Sequence, residues 1–208
     1  AWQTITTQHH FRACGAGVCG SLLGKGKSLM NSPTRYTSPA IAFHWIVALA
    51  VFTLIGLGMY MVDIPKGTPD RAFYFNLHKS IGVTTAILVA IRLWWRARNP
   101  PPPLPASLPN WQVQASKLSH ALLYLCLILM PLSGFSASQF TKYGVNFFGL
   151  FKIPPMGWEN KEIYDFLQGI HHVTSELLIA VVAIHVLAAL KHLVMNRDGV
   201  FQRMLPGK

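Results

Sequence analysis

Between Ala40 and Val62 the chain reads AIAFHWIVALAVFTLIGLGMYMV, with no acidic or basic residue except His44. Coiled as a helix, this stretch is about 35 Å long and crosses a hydrocarbon core of about 30 Å. Water-soluble core helices are rarely this long and this empty of charge. Three further stretches repeat the pattern. Residues 77–97 carry Lys79 near their start and Arg92 and Arg96 toward their end, 118–141 are bounded by Lys117 and Lys142, and 166–192 hold Glu176 as their one acid. Spans at 40–62, 77–97, 118–141 and 166–192 predict an all-α fold, an integral membrane four-helix bundle.

Composition agrees. The 208 residues are 51% hydrophobic and 12% charged, against about 25% charged in soluble domains. Mean hydropathy is +0.35. These values exclude a disordered chain and disfavour a soluble globule. The net charge of +11 would suggest nucleic acid in a soluble domain. In a membrane chain Lys and Arg serve topology and lipid headgroups instead, so no nucleic-acid partner is expected. Cys14, Cys19 and Cys126 are too few for a disulfide framework.

The connections read clearly. Pro100 to Pro103, Pro105 and Pro109 end the second span and form a linker. Pro131 falls inside the third span, where it is expected to kink the helix. Residues 144–157, rich in Gly, Pro and aromatics, read as an interfacial loop. With both termini cytoplasmic, the inner side carries nine basic residues (Arg35, Arg92, Arg96, Arg98, Lys117, Lys191, Arg197, Arg203, Lys208) and the outer side six (Lys66, Arg71, Lys79, Lys142, Lys152, Lys161). That asymmetry favours both termini inside. Residues 1–35 read as an N-terminal extension, flexible or begun upstream of the native start, and 36–208 as the membrane domain. Cys14 and Cys19 suggest a metal half-site less well than a flexible tail.

Histidine is costly in a bilayer, so intramembrane histidines mark function. His44, His78, His120, His171 and His185 lie in or at the ends of spans, with His172 and His192 beside them. Two levels result: His44 with His185 toward the inner face, and His78 with His171 toward the outer. His171 and His185 are 14 residues apart, which at about 100° per residue returns them to within about 40° of one another. Their backbones are then about 21 Å apart along the axis. His172 falls on nearly the opposite face from His185, which favours His171 as the partner. Neutral imidazole ligates iron well, and axial ligands from facing helices build haem sites inside bundles. Two bis-histidine haems would bridge most of the bilayer for electrons. Gly82, one turn from His78, is the expected haem-packing glycine; Gly134 is a weaker one.

The segments that carry this pattern are Ile41-Ala-Phe-His44-Trp45, Asn76-Leu-His78-Lys-Ser-Ile-Gly82, Leu118-Ser-His120-Ala-Leu-Leu-Tyr124, Ile170-His171 and Ile184-His185-Val-Leu-Ala-Ala-Leu-Lys-His192, with the tail Asn196-Arg-Asp-Gly-Val-Phe-Gln-Arg-Met-Leu-Pro206. Together, from about Tyr36 to Pro206, they resemble the bacterial cytochrome b561 family, of the small four-helix di-haem type. The resemblance implies two haem b groups, multi-pass placement in the bacterial inner membrane, and electron transfer across it with ubiquinone as acceptor. Small members of the family resemble superoxide oxidases, which pass an electron from periplasmic superoxide to ubiquinone. The family's four axial ligands fall on His44, His78, His171 and His185. His120 and His192 match further histidines, and both are candidates for quinone contact.

Other side chains have plainer expectations. Arg92, Arg96 and Arg98 snorkel to headgroups, or one of them meets a haem propionate. Trp45, Trp94, Trp95, Trp111 and Trp158 form interfacial belts. Glu176 hydrogen-bonds another helix. Two competing functions have distinct signatures. A haem-bearing relay subunit of a hydrogenase or dehydrogenase would need a redox partner subunit. A divalent-metal transporter would need more intramembrane carboxylates than Glu176 alone.

Overall fold

A computed structural model describes residues 35–156 and 158–207; Cys14, Cys19 and the expectations for the N-terminal extension lie outside them. Four long helices dominate: α1 (Ser38–Val62), α2 (Pro69–Arg98), α3 (Asn110–Gln139) and α4 (Lys161–Lys191). All four are long and apolar enough to cross a membrane. The helices outrun the predicted spans: α2 begins at Pro69 rather than 77, α3 at Asn110 rather than 118, and α4 at Lys161 rather than 166. Hydropathy marks only the lipid-immersed part, whereas helix starts are set by capping. The Thr68 hydroxyl accepts the Arg71 N–H at 3.3 Å ahead of Pro69, and Asn160 Oδ1 accepts the Ile163 N–H at 3.0 Å. Pro131 sits inside α3 as expected.

α1 packs along α2, α3 along α4, and α2 against α3. The Trp95 indole N–H, late in α2, donates to the Thr37 hydroxyl ahead of α1 at 3.0 Å, so these two helices are antiparallel. The bundle has a termini end, where the Arg35 guanidinium donates to the Gly207 and Leu205 carbonyls at 3.1 and 2.9 Å. At the opposite end, the expected interfacial loop folds into a hairpin, β1 (Val145–Phe147) with β2 (Phe151–Ile153), in register Val145 to Ile153. Phe148 and Gly149 at its turn both have positive φ, 47° and 74°, the backbone of a tight hairpin turn. Ser80, fully buried in α2, anchors the hairpin: its hydroxyl accepts the Phe148 N–H at 2.9 Å and lies 3.1 Å from the Asn146 carbonyl.

The core is small and sits midway along the bundle. It comprises Val47, Val51, Val89, Cys126 and Leu178, flanked by Ile55, Leu123, Met130 and Val182. Large apolar side chains such as Leu49, Ile87, Leu132, Val173 and Leu187 face outward, between 55% and 70% exposed. That inversion suits a lipid solvent, in which apolar surface need not be hidden.

Candidate functional site

Helix α4 carries the site's axis. His171, Leu178 and His185 recur every seven residues, so one stripe holds a histidine on either side of the central core. Toward the termini end, the His185 ring faces His44 of α1, with centroids 6.4 Å apart. Toward the hairpin end, the His171 ring faces His78 of α2 at 6.3 Å. The two separations agree within 0.1 Å although the pairs share only α4. All four rings are half-buried. His78 and His171 do not open their helices, as the predicted spans implied; α2 and α4 run roughly two turns further toward the hairpin.

The surroundings differ between the two pairs. His171 Nδ1 donates to the Met130 carbonyl at 3.0 Å, a contact that fixes the ring's orientation and leaves Nε2 as the basic nitrogen. Gly134 makes this approach possible: a Cβ there would lie 3.0 Å from both His171 Cε1 and Nδ1. A Cβ on Gly58 of α1 would meet His78 Cε1 at 3.4 Å. His78 Nδ1 is itself buried without a hydrogen-bond partner. Around Gly82, no heavy atom of the described residues lies within 4 Å of where a Cβ would stand, so the α2 surface one turn from His78 is uncrowded by them.

At the other level, His44 Nδ1 lies 3.1 Å from an Arg92 nitrogen. Arg92 therefore turns into the bundle, where snorkelling to headgroups was one expectation. His120 of α3 joins this level: its ring is 5.3 Å from that of His185, and its Nδ1 donates to the Ser116 carbonyl at 2.7 Å. The structure thus brings His120 to the His44/His185 pair. His192 stands apart, at the start of a π-helical turn, His192–Asn196, that continues α4. The wider turn ends with the Arg197 N–H donating to the His192 carbonyl at 2.9 Å, and Arg197 is left-handed at φ 50°. That reversal brings Asp198 back, and His192 Nδ1 donates to its carboxylate at 2.6 Å. Burial pushes the Asp198 carboxyl up, but the hydrogen bonds from His192, the Val200 N–H and Asn196 outweigh it and hold the group below its ordinary value.

Glu176 departs from expectation. Among the described residues it makes no bond to another helix; it meets His172 on its own helix at 3.4 Å, and both side chains are exposed. Among the described residues, no group of three or more His, Cys, Asp or Glu side chains is disposed to hold a bare metal ion. The roles of Gly58, Gly134, Arg92 and Asp198 had weak or no signal in the sequence, since each depends on which helix faces which.

Comparison with known proteins gives the family. The family model described as prokaryotic cytochrome b561 matches residues 35–207. The chain is 33% identical to Cytochrome b561 homolog 2 of Escherichia coli (strain K12) over 181 residues, covering 86% of this chain and 95% of the relative. It is 27% identical to Cytochrome b561 homolog 1 of the same organism over 83% of this chain and 97% of that protein. A Yersinia pestis protein named Probable superoxide oxidase CybB is 25% identical over 84% of this chain and 97% of its own length. With four membrane-spanning helices and a match that runs the length of the bundle, the chain belongs to the prokaryotic cytochrome b561 family, multi-pass bacterial membrane cytochromes that bind haem b and transfer electrons.

Proposed function

We propose that the chain holds two haem b groups, between His44 and His185 and between His78 and His171, and carries electrons singly across the inner membrane from periplasmic superoxide to ubiquinone. One observation carries the haem reading. The ring centroids are 6.4 and 6.3 Å apart. Two metal–imidazole bonds of about 2 Å each, extended by the half-width of each ring, come to about 6 Å. Two histidine pairs at one spacing, formed by α4 with two different helices, support a repeated ligand set of this kind, and Gly58 and Gly134 flank the His78/His171 pair. Bound there, haem supplies a one-electron ferric/ferrous couple.

The protein's own groups do the rest. The Met130 carbonyl orients His171. Gly58 and Gly134 keep α1 and α3 clear of the rings, and the Val47, Val89 and Leu178 layer keeps water out between the two levels. Superoxide gives up one electron and leaves as oxygen, so that side needs access and charge and no covalent chemistry. Ubiquinone takes two electrons and two protons. His192 suits the proton step: the hydrogen bond from Nδ1 to Asp198 holds the ring in place, and the other ring nitrogen is free to exchange a proton with a quinone carbonyl. His120, held by Ser116, is the second quinone candidate. With both termini cytoplasmic, both residues lie on the side where protons are drawn.

The superoxide assignment leans on the named Yersinia pestis relative. The competing reading is an electron-relay subunit of a hydrogenase or dehydrogenase. The optical spectrum of the purified protein, recorded before and after superoxide is added with ubiquinone present, separates the two. A Soret band, reduction by superoxide and formation of quinol support the proposal. A haem spectrum indifferent to superoxide favours the relay subunit, and a protein without a Soret band ends both.

A further inference from the structure

A second site lies beside the His44/His185 pair. At the termini end, Tyr36, Arg92, Arg96, Asn99, Tyr124 and Met204 line one cavity. Arg92 and Arg96 stand one turn apart on α2, with guanidinium carbons 5.8 and 5.6 Å from the centre of the Tyr124 ring on α3. Both arginines are half-buried. Among the described residues, neither pairs with a carboxylate. The Tyr124 hydroxyl is buried and has no hydrogen-bond partner among the described residues. Met204 is brought to the cavity wall by the Trp45 indole N–H, which donates to its carbonyl at 2.7 Å.

Two like charges crowded at the end of a span repel one another, and a buried hydroxyl without a partner costs free energy. One kind of ligand removes both penalties. Guanidinium forks and a phenol O–H are all donors, and their complement is a negatively charged oxygen pair. We propose that Arg92, Arg96 and Tyr124 form a receptor for an oxyanion, a carboxylate or a phosphate monoanion. Two sources supply that chemistry at this depth: the propionate carboxylate of a haem held by His44 and His185, and the headgroup phosphate of a membrane lipid. The first source rests on the haem reading above; the second does not.

The test uses the intact holoprotein in detergent and the variants Arg96→Gln and Tyr124→Phe. Arg92 is left alone because it also touches His44. Arg98→Gln is the control, since that guanidinium lies 4.7 Å from the Trp94 ring. Two quantities are read: the midpoint potential of each haem component by optical redox titration, and the phosphorus retained after exhaustive detergent exchange. A carboxylate source shifts one midpoint to lower potential in Arg96→Gln, because a cation that favoured the ferrous form is gone. Tyr124→Phe then shifts the same component, the other haem stays put, and phosphorus is unchanged. A phosphate source leaves both midpoints in place and strips the retained phosphorus from both variants. If both variants behave as Arg98→Gln in both readouts, the receptor is overturned. A wild type without haem would sink the ligation reading and leave the phosphorus measurement to decide this one.

Discussion

Gly134 leaves the α3 surface bare where the His171 ring reaches across to the Met130 carbonyl. A methyl group at that position would sit 3.0 Å from two ring atoms, so the ring must give way by a few tenths of an ångström, which strains its orienting hydrogen bond. Gly134→Ala is expected to weaken retention of the hairpin-side haem by ~10-fold or more, as loss of an outer-shell partner does at metal sites. Haem titration of the purified variant checks this. Gly58→Ala, at an ordinary 3.4 Å contact, should be tolerated. The proposed ligands make a sharper prediction. His44→Ala and His185→Ala should each remove the haem near the termini, and His78→Ala and His171→Ala the other. Haem-to-protein stoichiometry should fall by about half in each case, since one of the two proposed bis-histidine sites loses an axial ligand. Unchanged stoichiometry in all four would refute the assignment. The histidines were legible in the chain because 14 residues on one helix bring the side chain back to the same face. Gly134 was only weakly so: its use is decided by the approach of α4, which no spacing within α3 reports.

At the scale of elements, the end of α4 is where local structure and chemistry meet. The π-helical turn from His192 to Asn196 and the left-handed Arg197 fold the chain back so that Asp198 reaches the histidine it follows by six residues. Hydropathy and helical periodicity could not anticipate this, since a regular α-helix would carry Asp198 away from His192. Because the folded carboxyl titrates below its ordinary value, its contribution to stability is present above about pH 4, the unfolded value, and is lost as pH falls through the folded value. Asp198→Asn should abolish that acid-side loss. It should also slow quinol formation by ~10- to 100-fold, at or below the low end of general-acid effects, while chemical reduction of the haems is unaffected. Stopped-flow measurement of both steps across pH is the check, and an unchanged quinol rate would remove His192 and Asp198 from the proposed proton path.

For the whole molecule, the proposed superoxide reaction makes charge on the hairpin side the quantity to examine. The segments at the hairpin end hold six basic and five acidic residues, an excess of one. The fold engages half of the six. Arg71 caps the carbonyls of Met61, Val62 and Ile64, Lys79 donates to the Gly144 carbonyl at 3.1 Å, and Lys161 pairs with Asp165. Steering should therefore be weak. Superoxide consumption is expected to fall with rising salt by less than ~10-fold, the low end of electrostatic focusing. A flat salt response would take steering out of the account, and a steep one would show a basic cluster stronger than these contacts allow. Sequence alone determined the four spans, the two levels of histidine and the family, because bilayer thickness fixes span length and helical geometry fixes which residues share a face. Only the tertiary structure decided what touches each imidazole: Arg92 at His44, the Met130 carbonyl at His171, His120 against His185, and Glu176 turned outward to His172. Those contacts form between residues dozens of positions apart, or on a helix face chosen by its neighbours, and they follow from how the helices rotate against one another.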